Sequence, residues 1–494
     1  MERLKILFVS AEVSPFAKVG GLADVAGSLP AALNSLGHDA RVIMPLYRRV
    51  AQKFKPQTEV AGVPVSLGGM EIEVDIASLV HDGTPVYFVD SPRFFMRDEI
   101  YMYKDDGERF VTLCRGTLEG LRRLGWAPDV IHANDWQTGL IPCLLRTSYA
   151  DDPHFRATAS VYTIHNLAYQ GLFPAHFMEI MGVDRAEFTF EKLEFYGQIN
   201  LMKAGIVYAD QVNTVSEKYK EEIQTEEYGE GLDALLKYVS GKLRGIANGI
   251  DTKLFDPERD PKIPRNYSMK NLAGKEENKE KLLGELGLPY LKTRRVPLLA
   301  MISRLASQKG FDILMETAGK LMKLDVQLVV LGTGDRKYEK FLRDLEKKNP
   351  GKASARLKFD AALAQRIYAG ADVFLMPSKF EPGGLGQLIS LRYGTIPVVR
   401  KTGGLADTVE NFHPRSGRGN GFVFESYRGE AFLKAIKRAT GFYADRKTWK
   451  KLMINAMSSD FSWESSARRY VDMYRSALEI AAGGGGRQAQ ASGD

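Results

Sequence analysis

The sequence predicts an α/β protein built from two Rossmann-like, doubly wound parallel-sheet domains that face each other across a cleft. A strand at 5–10 is followed by a glycine turn at 18–21 and then by apolar residues at helical spacing from Leu22 to Leu36. The pattern begins again with a strand at 297–302 and a helix at 311–321. Since each half contains its own strand, polar turn and helix, two such domains are expected.

Other short segments support the same alternation of strands and helices. They are apolar and often β-branched, as buried parallel strands are. In the first half they lie at 40–44, 85–89, 129–133, 160–164 and 211–215. In the second half they lie at 326–331, 356–359, 373–377 and 396–400. A charged stretch from Asp256 to Lys281 indicates an excursion between the halves, and the segment from Trp463 to Ile480 predicts an amphipathic helix.

These patterns divide the chain into four parts. The N-terminal Rossmann-like domain is expected at 1–242 and the C-terminal Rossmann-like domain at 243–459. A helix at 460–480 is expected to return to the N-terminal domain. The last part, 481–494, is rich in Gly, Gln and Ser and is expected to be disordered.

Composition narrows the classes of function. The 494 residues carry a net charge of +7, which suits an anionic ligand, although basic residues dispersed over solvated faces explain the charge better. No dense Lys/Arg block with interleaved aromatics suggests nucleic-acid binding, and no segment approaches the ~20 apolar residues of a membrane span. Two cysteines, Cys114 and Cys143, argue against a disulfide scaffold and favour the reduced cytoplasm.

The most informative motif is the glycine-rich turn Lys379-Phe-Glu-Pro-Gly-Gly-Leu-Gly-Gln-Leu388. It lies between the strand at 373–377 and a helix at 385–393. Such a turn offers backbone N–H donors and the partial positive charge of a helix start. Glu381 adds one fixed acceptor. A ligand with phosphate at one end and hydroxyls at the other, such as a nucleotide sugar, fits this combination.

Polar residues after other strands could complete such a site. Arg304 and Lys309 follow a strand and could clamp a diphosphate, although an isolated pair of this kind is often only a solvated loop. His165 and Asn166 end another strand, where a lone histidine is more often a packed residue than a catalyst. The glycines of 332–335 are interpreted as structural. No spacing typical of a metal site occurs, and Asp105-Asp106 is interpreted as a loop, so neither a metal nor a cofactor is expected.

Nine motifs together resemble the bacterial glycogen synthases and plant starch synthases. The resemblance runs from residue 5 to about 480, and the motifs follow one another in the family's order. The nine motifs are Lys18-Val-Gly-Gly-Leu-Ala-Asp24, Asn134-Asp-Trp-Gln137, Thr163-Ile-His-Asn166, Leu193-Glu-Phe-Tyr-Gly-Gln-Ile-Asn200, Tyr228-Gly-Glu-Gly-Leu-Asp233, Asn248-Gly-Ile-Asp251, Ser303-Arg-Leu through Gly310, Phe380-Glu-Pro-Gly-Gly-Leu385 and Arg400-Lys-Thr-Gly-Gly-Leu-Ala-Asp407. The resemblance implies a GT-B fold and a retaining transfer of glucose from ADP-glucose to the non-reducing end of an α-1,4-glucan, glycogen or a maltooligosaccharide.

The resemblance also implies roles for the matching positions. Arg304 and Lys309 would bind the donor phosphates, Glu381 would hold sugar hydroxyls and stabilise the transition state, and His165 would contact the transferred glucose. The further substrate-binding positions that it implies are Lys18, Gly20, Gly21, Asp24, Asp135, Asn166, Asn248, Phe359, Gly383, Gly384 and Leu385.

Three positions depart from the family pattern. Gly383 replaces a frequent cysteine but keeps the backbone donor, so little loss is expected. Ile389 stands where many GT-B enzymes have a second glutamate, so the ribose must be held otherwise. Phe359 stands where an aromatic commonly stacks on adenine; it can stack but lacks a hydroxyl.

Several alternatives remain open on the sequence. Retention could follow a same-face path, which family analogy favours, or a double displacement through a carboxylate behind the anomeric carbon. The chain could instead use UDP-sugars on small acceptors, act as a GT-B isomerase, or be a catalytically silent glucan-binding scaffold. The intact set Lys18, His165, Arg304, Lys309 and Glu381 argues against a scaffold, which has no need of all five.

Overall fold

The computed structural model describes residues 2–483 and divides them into two compact units. The first unit runs to Ile246 and also includes the last helix, which begins at Trp463. The second unit comprises Ala247–Ser462. Each unit has its own hydrophobic core around its own sheet.

The first unit alternates strands and helices. Its strands are β1 (Lys5–Val9), β2 (Asp39–Pro45), β3 (Gln57–Leu67), β4 (Met70–His81), β5 (Thr84–Asp90), β6 (Val130–Asn134), β7 (Ala159–Ile164), β8 (Leu172–Pro174), β9 (Glu194–Phe195), β10 (Gln198–Asn200), β11 (Gln211–Thr214) and β12 (Leu243–Gly245). Its helices before residue 246 are α1 (Gly21–Ser35), α2 (Arg48–Phe54), α3 (Pro92–Phe95), α4 (Asp106–Leu124), α5 (Leu140–Arg146), α6 (Phe177–Met181), α7 (Leu201–Tyr208), α8 (Glu217–Glu222) and α9 (Asp233–Tyr238).

The main sheet of the first unit has nine strands in the order β12-β11-β7-β6-β1-β2-β5-β4-β3. The seven strands from β12 to β5 pair in parallel, and β4 and β3 add an antiparallel hairpin at one edge. Strand order reverses between β1 and β6, so the loops after these two strands diverge and leave a crevice at the carboxyl edge. A small antiparallel sheet, β8-β10-β9, stands apart from it.

The second unit has the simpler topology. Its elements are α10 (Ala273–Leu286), β13 (Leu298–Ile302), α11 (Phe311–Leu321), β14 (Gln327–Leu331), α12 (Arg336–Lys348), β15 (Ala353–Arg356), α13 (Ala361–Gly370), β16 (Val373–Met376), α14 (Gly386–Arg392), β17 (Ile396–Arg400), α15 (Gly403–Thr408), β18 (Phe422–Phe424), α16 (Gly429–Tyr443) and α17 (Arg446–Met457). The sheet is wholly parallel, in the order β15-β14-β13-β16-β17-β18. Numbered within the unit this is 3-2-1-4-5-6, the Rossmann order, so the expected class of two doubly wound domains is confirmed.

The last helix, α18 (Trp463–Ala482), packs on the first unit. Its apolar face, which includes Trp463 and Met473, is buried in that unit's core. Two tyrosines of the same helix reach polar groups within the sheet: the Tyr474 hydroxyl lies 2.9 Å from His132 Nδ1, and the Tyr470 hydroxyl accepts from Asn213 Nδ2 at 3.2 Å. Because these buried polar groups satisfy one another, the helix position is fixed by hydrogen bonds as well as by packing.

Some local predictions were wrong. The strand expected at 356–359 is Ala353–Arg356, since Lys358 N–H donates back to the Arg356 carbonyl and turns the chain there. The stretch from Asp256 to Lys281 is not an excursion between the halves: it belongs to the second unit and includes the start of α10. Asp106 is not in a loop but begins α4, where it pairs with Arg109 at 2.5 Å.

Two further differences concern the edge and the end of the chain. The β3–β4 hairpin escaped the sequence analysis because register shifts between Thr58 and Val63 interrupt the strand alternation. The last helix continues to Ala482, past the expected end at 480. The rest of the segment expected to be disordered, 484–494, lies outside the described residues.

Across residues 2–483, no helix combines the length and apolar character needed to cross a membrane.

Candidate active site

The crevice of the second unit brings together the residues that the sequence singled out there. Strand order reverses between β13 and β16. The loop after β13 carries Arg304 and Lys309, and the loop after β16 carries Glu381. Ligands of doubly wound sheets bind where such loops diverge at the carboxyl edge. The two loops are joined directly, because Lys379 N–H donates to the Gln308 carbonyl at 2.8 Å.

Lys309 and Glu381 form the central ion pair of this crevice. Lys309 Nζ lies 2.8 Å from Glu381 Oε1 and 2.7 Å from Oε2, and Ser378 Oγ donates to Oε2 at 2.9 Å. Glu381 is 5% exposed. The side chain of Lys309 is 22% exposed, so its ammonium lies between a buried carboxylate and the open crevice. Such a cation can meet an incoming anion without leaving the carboxylate.

Arg304 and Phe359 lie on the exposed surface of the second unit. Arg304 Nη2 lies 3.5 Å from Gln308 Oε1, at the outer limit of a hydrogen bond. Phe359 is 86% exposed and follows the end of β15. A weakly tethered guanidinium is available to bind phosphate through two donors, and an uncovered aromatic ring is available for stacking.

The glycines around Glu381 allow a close approach of two backbone segments. Gly404 N–H donates to the carbonyls of Glu381 and Pro382 at 3.0 Å each. A Cβ on Gly404 would lie 1.8 Å from the Gly383 carbonyl oxygen, and one on Gly403 would lie 2.0 Å from the Glu381 carbonyl oxygen. The turn at 402–404 therefore supports the loop that holds Glu381, and only glycine fits there.

The rest of this loop leads into a helix. Gly384 has a φ of +67°, which favours glycine, and Leu385 precedes the first residue of α14. The glycines of 332–335 have a different surrounding: a Cβ on Gly332 would lie 1.9 Å from the Ser303 carbonyl oxygen, and one on Gly334 2.3 Å from that of Leu305. Those two glycines thus hold the loops after β13 and β14 together.

The glycine turn of the first unit follows β1 and begins α1. Lys18 Nζ lies 2.6 Å from Asp24 Oδ1, with the lysine side chain 44% exposed. A Cβ added at Gly20 or Gly21 would meet nothing within 4 Å, and neither residue has a positive φ. Internal packing therefore gives no reason for two glycines here, whereas a ligand that approaches the backbone closely does.

Glu12, three residues after the end of β1, forms the inner wall of this turn. Its Oε2 accepts the N–H groups of Val19 at 2.5 Å and Gly20 at 2.8 Å. Its Oε1 accepts the Tyr101 hydroxyl at 2.7 Å. The carboxylate is 4% exposed. Two of the turn's backbone donors therefore face a carboxylate of the chain itself.

His165 is held as a neutral imidazole at the carboxyl edge of the first sheet. Burial lowers its pKa to about 3. Its Nε2 lies 2.9 Å from Asn134 Oδ1. Asn134 Nδ2 donates to the carbonyls of Val9 and His132, which identifies its other atom as the acceptor. His165 Nε2 must therefore carry the proton, and Nδ1 keeps a lone pair.

Asp135 has an unusual backbone at the end of β6. Its φ of 56° and ψ of 179° are rare for a residue with a side chain. Its Oδ1 accepts the N–H of His165 at 2.7 Å. Burial raises the pKa of Asp135 to about 7; donors from His165 and Asn166 lower it, and the charge of Glu12 raises it further. The strained residue thus fixes the backbone that carries His165.

Replacing Asp135 by asparagine is expected to stabilise the protein more at pH 8 than at pH 5. The folded-state pKa of about 7 lies above the ordinary value of 3.8, so the folded state holds this proton more tightly than the unfolded chain. Stability therefore falls as the pH rises from about 4 to 7, and asparagine removes that loss. Asparagine also tolerates a positive φ. Thermal melts of both proteins at the two pH values measure the difference, and an equal shift at both would contradict the assignment.

Two asparagines complete the predicted set. Asn166 Oδ1 accepts the Ala168 N–H at 3.1 Å, which shapes the loop after β7. Asn248 belongs to the second unit and is 8% exposed. Its Oδ1 is buried and has no hydrogen-bond partner among residues 2–483. A buried, unsatisfied acceptor is costly, which favours a ligand that donates a hydrogen bond to it.

His132, a second histidine of the first sheet, lies away from the carboxyl edge. It lies inside β6, fully buried, between the Tyr474 hydroxyl at 2.9 Å and Thr163 Oγ1 at 2.5 Å. Burial lowers its pKa to about 3. It is therefore a neutral core residue that joins the sheet to the last helix.

Sequence reasoning missed one functional residue in the crevice of the second unit and two in that of the first. Ser378 immediately follows the expected strand at 373–377, where polar residues are informative, but no pattern distinguished it from other loop serines. Asn134 was visible only as a neighbour of Asp135. Glu12 gave the clearest signal, a carboxylate inside an apolar run directly after β1, where a charge has to find donors.

Comparison with known proteins assigns the chain to a family. Residues 5–238 match the model of the starch synthase catalytic domain, and residues 290–452 match the model of glycosyl transferases group 1. The glycogen synthase of Desulforudis audaxviator is 49% identical over 488 residues, which cover 96% of this chain and 97% of that protein. The chain belongs to the glycogen synthase and starch synthase family.

Other members of the family agree along the whole chain. The glycogen synthase of Moorella thermoacetica is 50% identical over 480 residues, with 96% of this chain and 97% of that protein covered. The catalytic domain of starch synthase IV from Arabidopsis thaliana, solved with ADP and acarbose, superposes with a TM-score of 0.90 at 34% identity and covers 97% of this chain and 100% of that domain. The fold is therefore GT-B, and this glycogen synthase family member is a glycosyltransferase.

Proposed function

We propose that this enzyme transfers glucose from ADP-glucose to the non-reducing end of an α-1,4-glucan, with retention at the anomeric carbon. The observation that carries the proposal is the ion pair between Lys309 and Glu381, which joins a half-buried ammonium to a buried carboxylate. The pair lies where the strand order of the Rossmann sheet reverses, between β13 and β16. A nucleotide sugar offers a diphosphate to the cation and sugar hydroxyls to the carboxylate. Membership of the glycogen synthase family supports glucose as the sugar and a glucan as the acceptor.

The proposed roles follow the chemistry of each group. Negative charge accumulates on the diphosphate as the bond from the anomeric carbon to phosphate oxygen lengthens. Arg304 and Lys309 would stabilise that charge, and cations fixed before reaction favour the transition state over the ground state. Lys18, with the open turn at Gly20 and Gly21, would add further contacts to the donor.

Glu381 would act on the sugar side of the donor. Its carboxylate would accept hydrogen bonds from glucose hydroxyls and stabilise the positive charge that develops at the anomeric carbon. Gly383, Gly384 and Leu385, in the same loop, would present backbone N–H groups, and Phe359 would stack on the nucleobase. Asp135, Asn166 and Asn248 would contact the sugar, and Asp24 is proposed as a further substrate-binding residue.

The proposed transfer follows the same-face path. The acceptor hydroxyl oxygen bonds to the anomeric carbon while the bond to the phosphate oxygen breaks. The hydroxyl proton passes to the departing phosphate, so no residue of the chain has to act as general base. His165 suits this path, because a neutral imidazole with its proton on Nε2 can contact the glucose without adding charge. A double displacement would instead require a carboxylate behind the anomeric carbon.

Donor competition tests the proposal. Purified protein is expected to incorporate labelled glucose into glycogen from ADP-glucose far faster than from UDP-glucose. Equal or reversed rates would overturn the donor assignment, and no incorporation from either donor would favour a silent glucan-binding scaffold. EDTA is expected to leave the rate nearly unchanged, and a loss that Mg²⁺ restores would show a missed metal site.

The proposed location is the cytosol. Cys114 and Cys143 are both free and buried in the first unit, which suits a reducing compartment.

A further inference from the structure

The glycine turn of the first unit has two unlike faces. Its inner face is tied down, because Val19 and Gly20 direct their N–H groups to the buried Glu12 carboxylate at 2.5 and 2.8 Å. Its outer face is open, since a Cβ on Gly20 or Gly21 would meet nothing within 4 Å, and the Val19 side chain is 62% exposed. The turn therefore has a fixed backbone beneath a surface that a ligand can approach.

Glu12 is itself held on both sides. Ser10 Oγ accepts the Glu12 N–H at 3.2 Å and donates to the Glu12 carbonyl at 2.6 Å. At the other end of the side chain, Glu12 Oε1 accepts the Tyr101 hydroxyl at 2.7 Å. Burial, and after it the charge of Glu12, raises the pKa of Tyr101 well above its ordinary value, so that hydroxyl stays protonated and donates. No ion pair joins Glu12 to a cation within residues 2–483.

Tyr101 is positioned by a buried arginine. Arg109 is fully buried; its Nε donates to the Phe94 carbonyl at 2.9 Å and its Nη1 to the Ile100 carbonyl at 2.8 Å. The Ile100 carbonyl belongs to the peptide that leads into Tyr101. Hydrogen bonds thus hold the backbone that precedes Tyr101 to α4, the Tyr101 hydroxyl to Glu12, and Glu12 to the exposed turn.

The free-energy cost of burying Glu12 indicates that the conformation of the turn matters for binding. A buried carboxylate without a cation loses hydration that backbone and hydroxyl donors only partly replace. What it holds is an exposed turn whose Lys18 and Val19 contribute little to the core. The sheet does not need that turn in one conformation, whereas a ligand that binds its outer face does, because ordering a loop on binding lowers affinity.

We propose that Glu12 and Tyr101 are positioning residues that hold the Lys18–Gly21 turn in the conformation that binds the donor's diphosphate. The inference rests on the proposed function. In this arrangement the N–H groups of Val19 and Gly20 donate to Glu12. The Lys18 ammonium and the open backbone at Gly21 remain to bind the ligand. Neither Glu12 nor Tyr101 touches the donor.

The test compares Glu12→Ala, Glu12→Gln and Tyr101→Phe. Alanine releases the turn and is expected to raise the Kd for ADP and the KM for ADP-glucose about tenfold, with the KM for maltooligosaccharide nearly unchanged. Glutamine keeps an oxygen that can accept both N–H groups and is expected to stay within about threefold of wild type. Tyr101→Phe removes one hydrogen bond and should fall between them. Isothermal titration calorimetry with ADP and steady-state kinetics give these values.

Asp210→Ala is the matched control. Asp210 is a buried carboxylate of the same unit, bound to Arg146 and to Ser160 near the start of β7. It therefore lies at the amino ends of the strands, opposite the carboxyl ends where Glu12 lies. It is expected to lower the melting temperature while leaving the Kd for ADP unchanged. That pattern separates loss of stability from loss of the turn's conformation.

Other outcomes would overturn the inference. If Glu12→Ala lowers the melting temperature but leaves the Kd for ADP unchanged, Glu12 is merely structural. If it binds ADP more tightly, Glu12 competes with the ligand for the turn's donors. Should the alanine variant fail to fold, an unchanged Kd in Tyr101→Phe would serve the same purpose. Wild-type activity with ADP-glucose, measured alongside, shows separately whether the proposed function holds.

Discussion

Replacing Lys309 by alanine is expected to lower kcat about a hundredfold or more. The reason is electrostatic: the variant loses a cation placed to stabilise charge that develops on the leaving diphosphate, and such contributions are worth about 10²–10³ in rate. It is also expected to lower stability, by about 1–3 kcal/mol, because Glu381 is 5% exposed and would keep only Ser378 as a side-chain partner. Steady-state kinetics and thermal melts measure the two effects.

An isolated, ligand-facing lysine would leave stability unchanged on removal, whereas the ion pair with Glu381 makes Lys309 part of the fold as well. A loss of stability therefore does not separate a structural role from a catalytic one. A second substitution does.

The double variant Lys309→Ala with Glu381→Gln makes that separation. Glutamine removes the buried charge that the missing lysine would leave unpaired, so stability should recover toward wild type. Activity should not recover, because both the cation and the carboxylate are gone. Recovery of activity together with stability would show that the pair only maintains the fold.

A matched ion pair provides the control. Arg366 pairs with Glu285 through two hydrogen bonds of 2.8 and 2.7 Å between α13 and α10 in the same unit. Arg366→Ala is expected to change stability by less than about 1 kcal/mol and to leave kcat unaltered, since the two side chains remain 24% and 42% exposed to solvent and lie outside the crevice.

Gly404→Ala is expected to lower activity below about 1% of wild type and stability by on the order of 3 kcal/mol. A Cβ there would lie 1.8 Å from the Gly383 carbonyl oxygen and 2.6 Å from its carbon. These are backbone atoms, so the strain can be relieved only by moving the loop that holds Glu381. Circular dichroism melts and the glucose-incorporation assay report the two losses.

Alanine substitutions at two other glycines serve as controls for Gly404→Ala. Gly319 lies within α11, where a Cβ meets nothing within 4 Å, so Gly319→Ala should leave activity unchanged and raise stability slightly. Gly20→Ala should fold normally yet raise the KM for ADP-glucose, since its Cβ would enter the open face of the turn. Normal activity in Gly404→Ala would show that the loop around Glu381 tolerates displacement.

The sequence was sufficient where local patterns decide the structure. Short apolar segments between polar turns located most parallel strands of both units, although β12 and β18 were missed. The helix at Phe311–Leu321 was predicted to the residue. The polar residues after those strands, such as Arg304 and Glu381, had to lie at one edge because parallel strands end together. The class of ligand followed from their charges.

What the sequence could not provide depends on contacts between distant residues. Lys309 and Glu381 are 72 positions apart, and no pattern shows that they pair. Glu12 and Tyr101 are 89 positions apart, so the carboxylate beneath the glycine turn was invisible until the fold placed it there. Likewise, the φ of 56° at Asp135 reflects tertiary contacts that override local preference.

One NMR measurement shows directly whether this chain moves glucose from ADP-glucose to a glucan with retention. Wild-type protein is mixed with maltotriose and ADP-glucose labelled with ¹³C at the anomeric carbon. The label is predicted to leave the donor and to appear in an α-1,4-linked glucose at the non-reducing end, while Glu381→Gln shows little transfer. Label that appears in a β linkage or as free glucose, or that remains in the donor, would contradict the account.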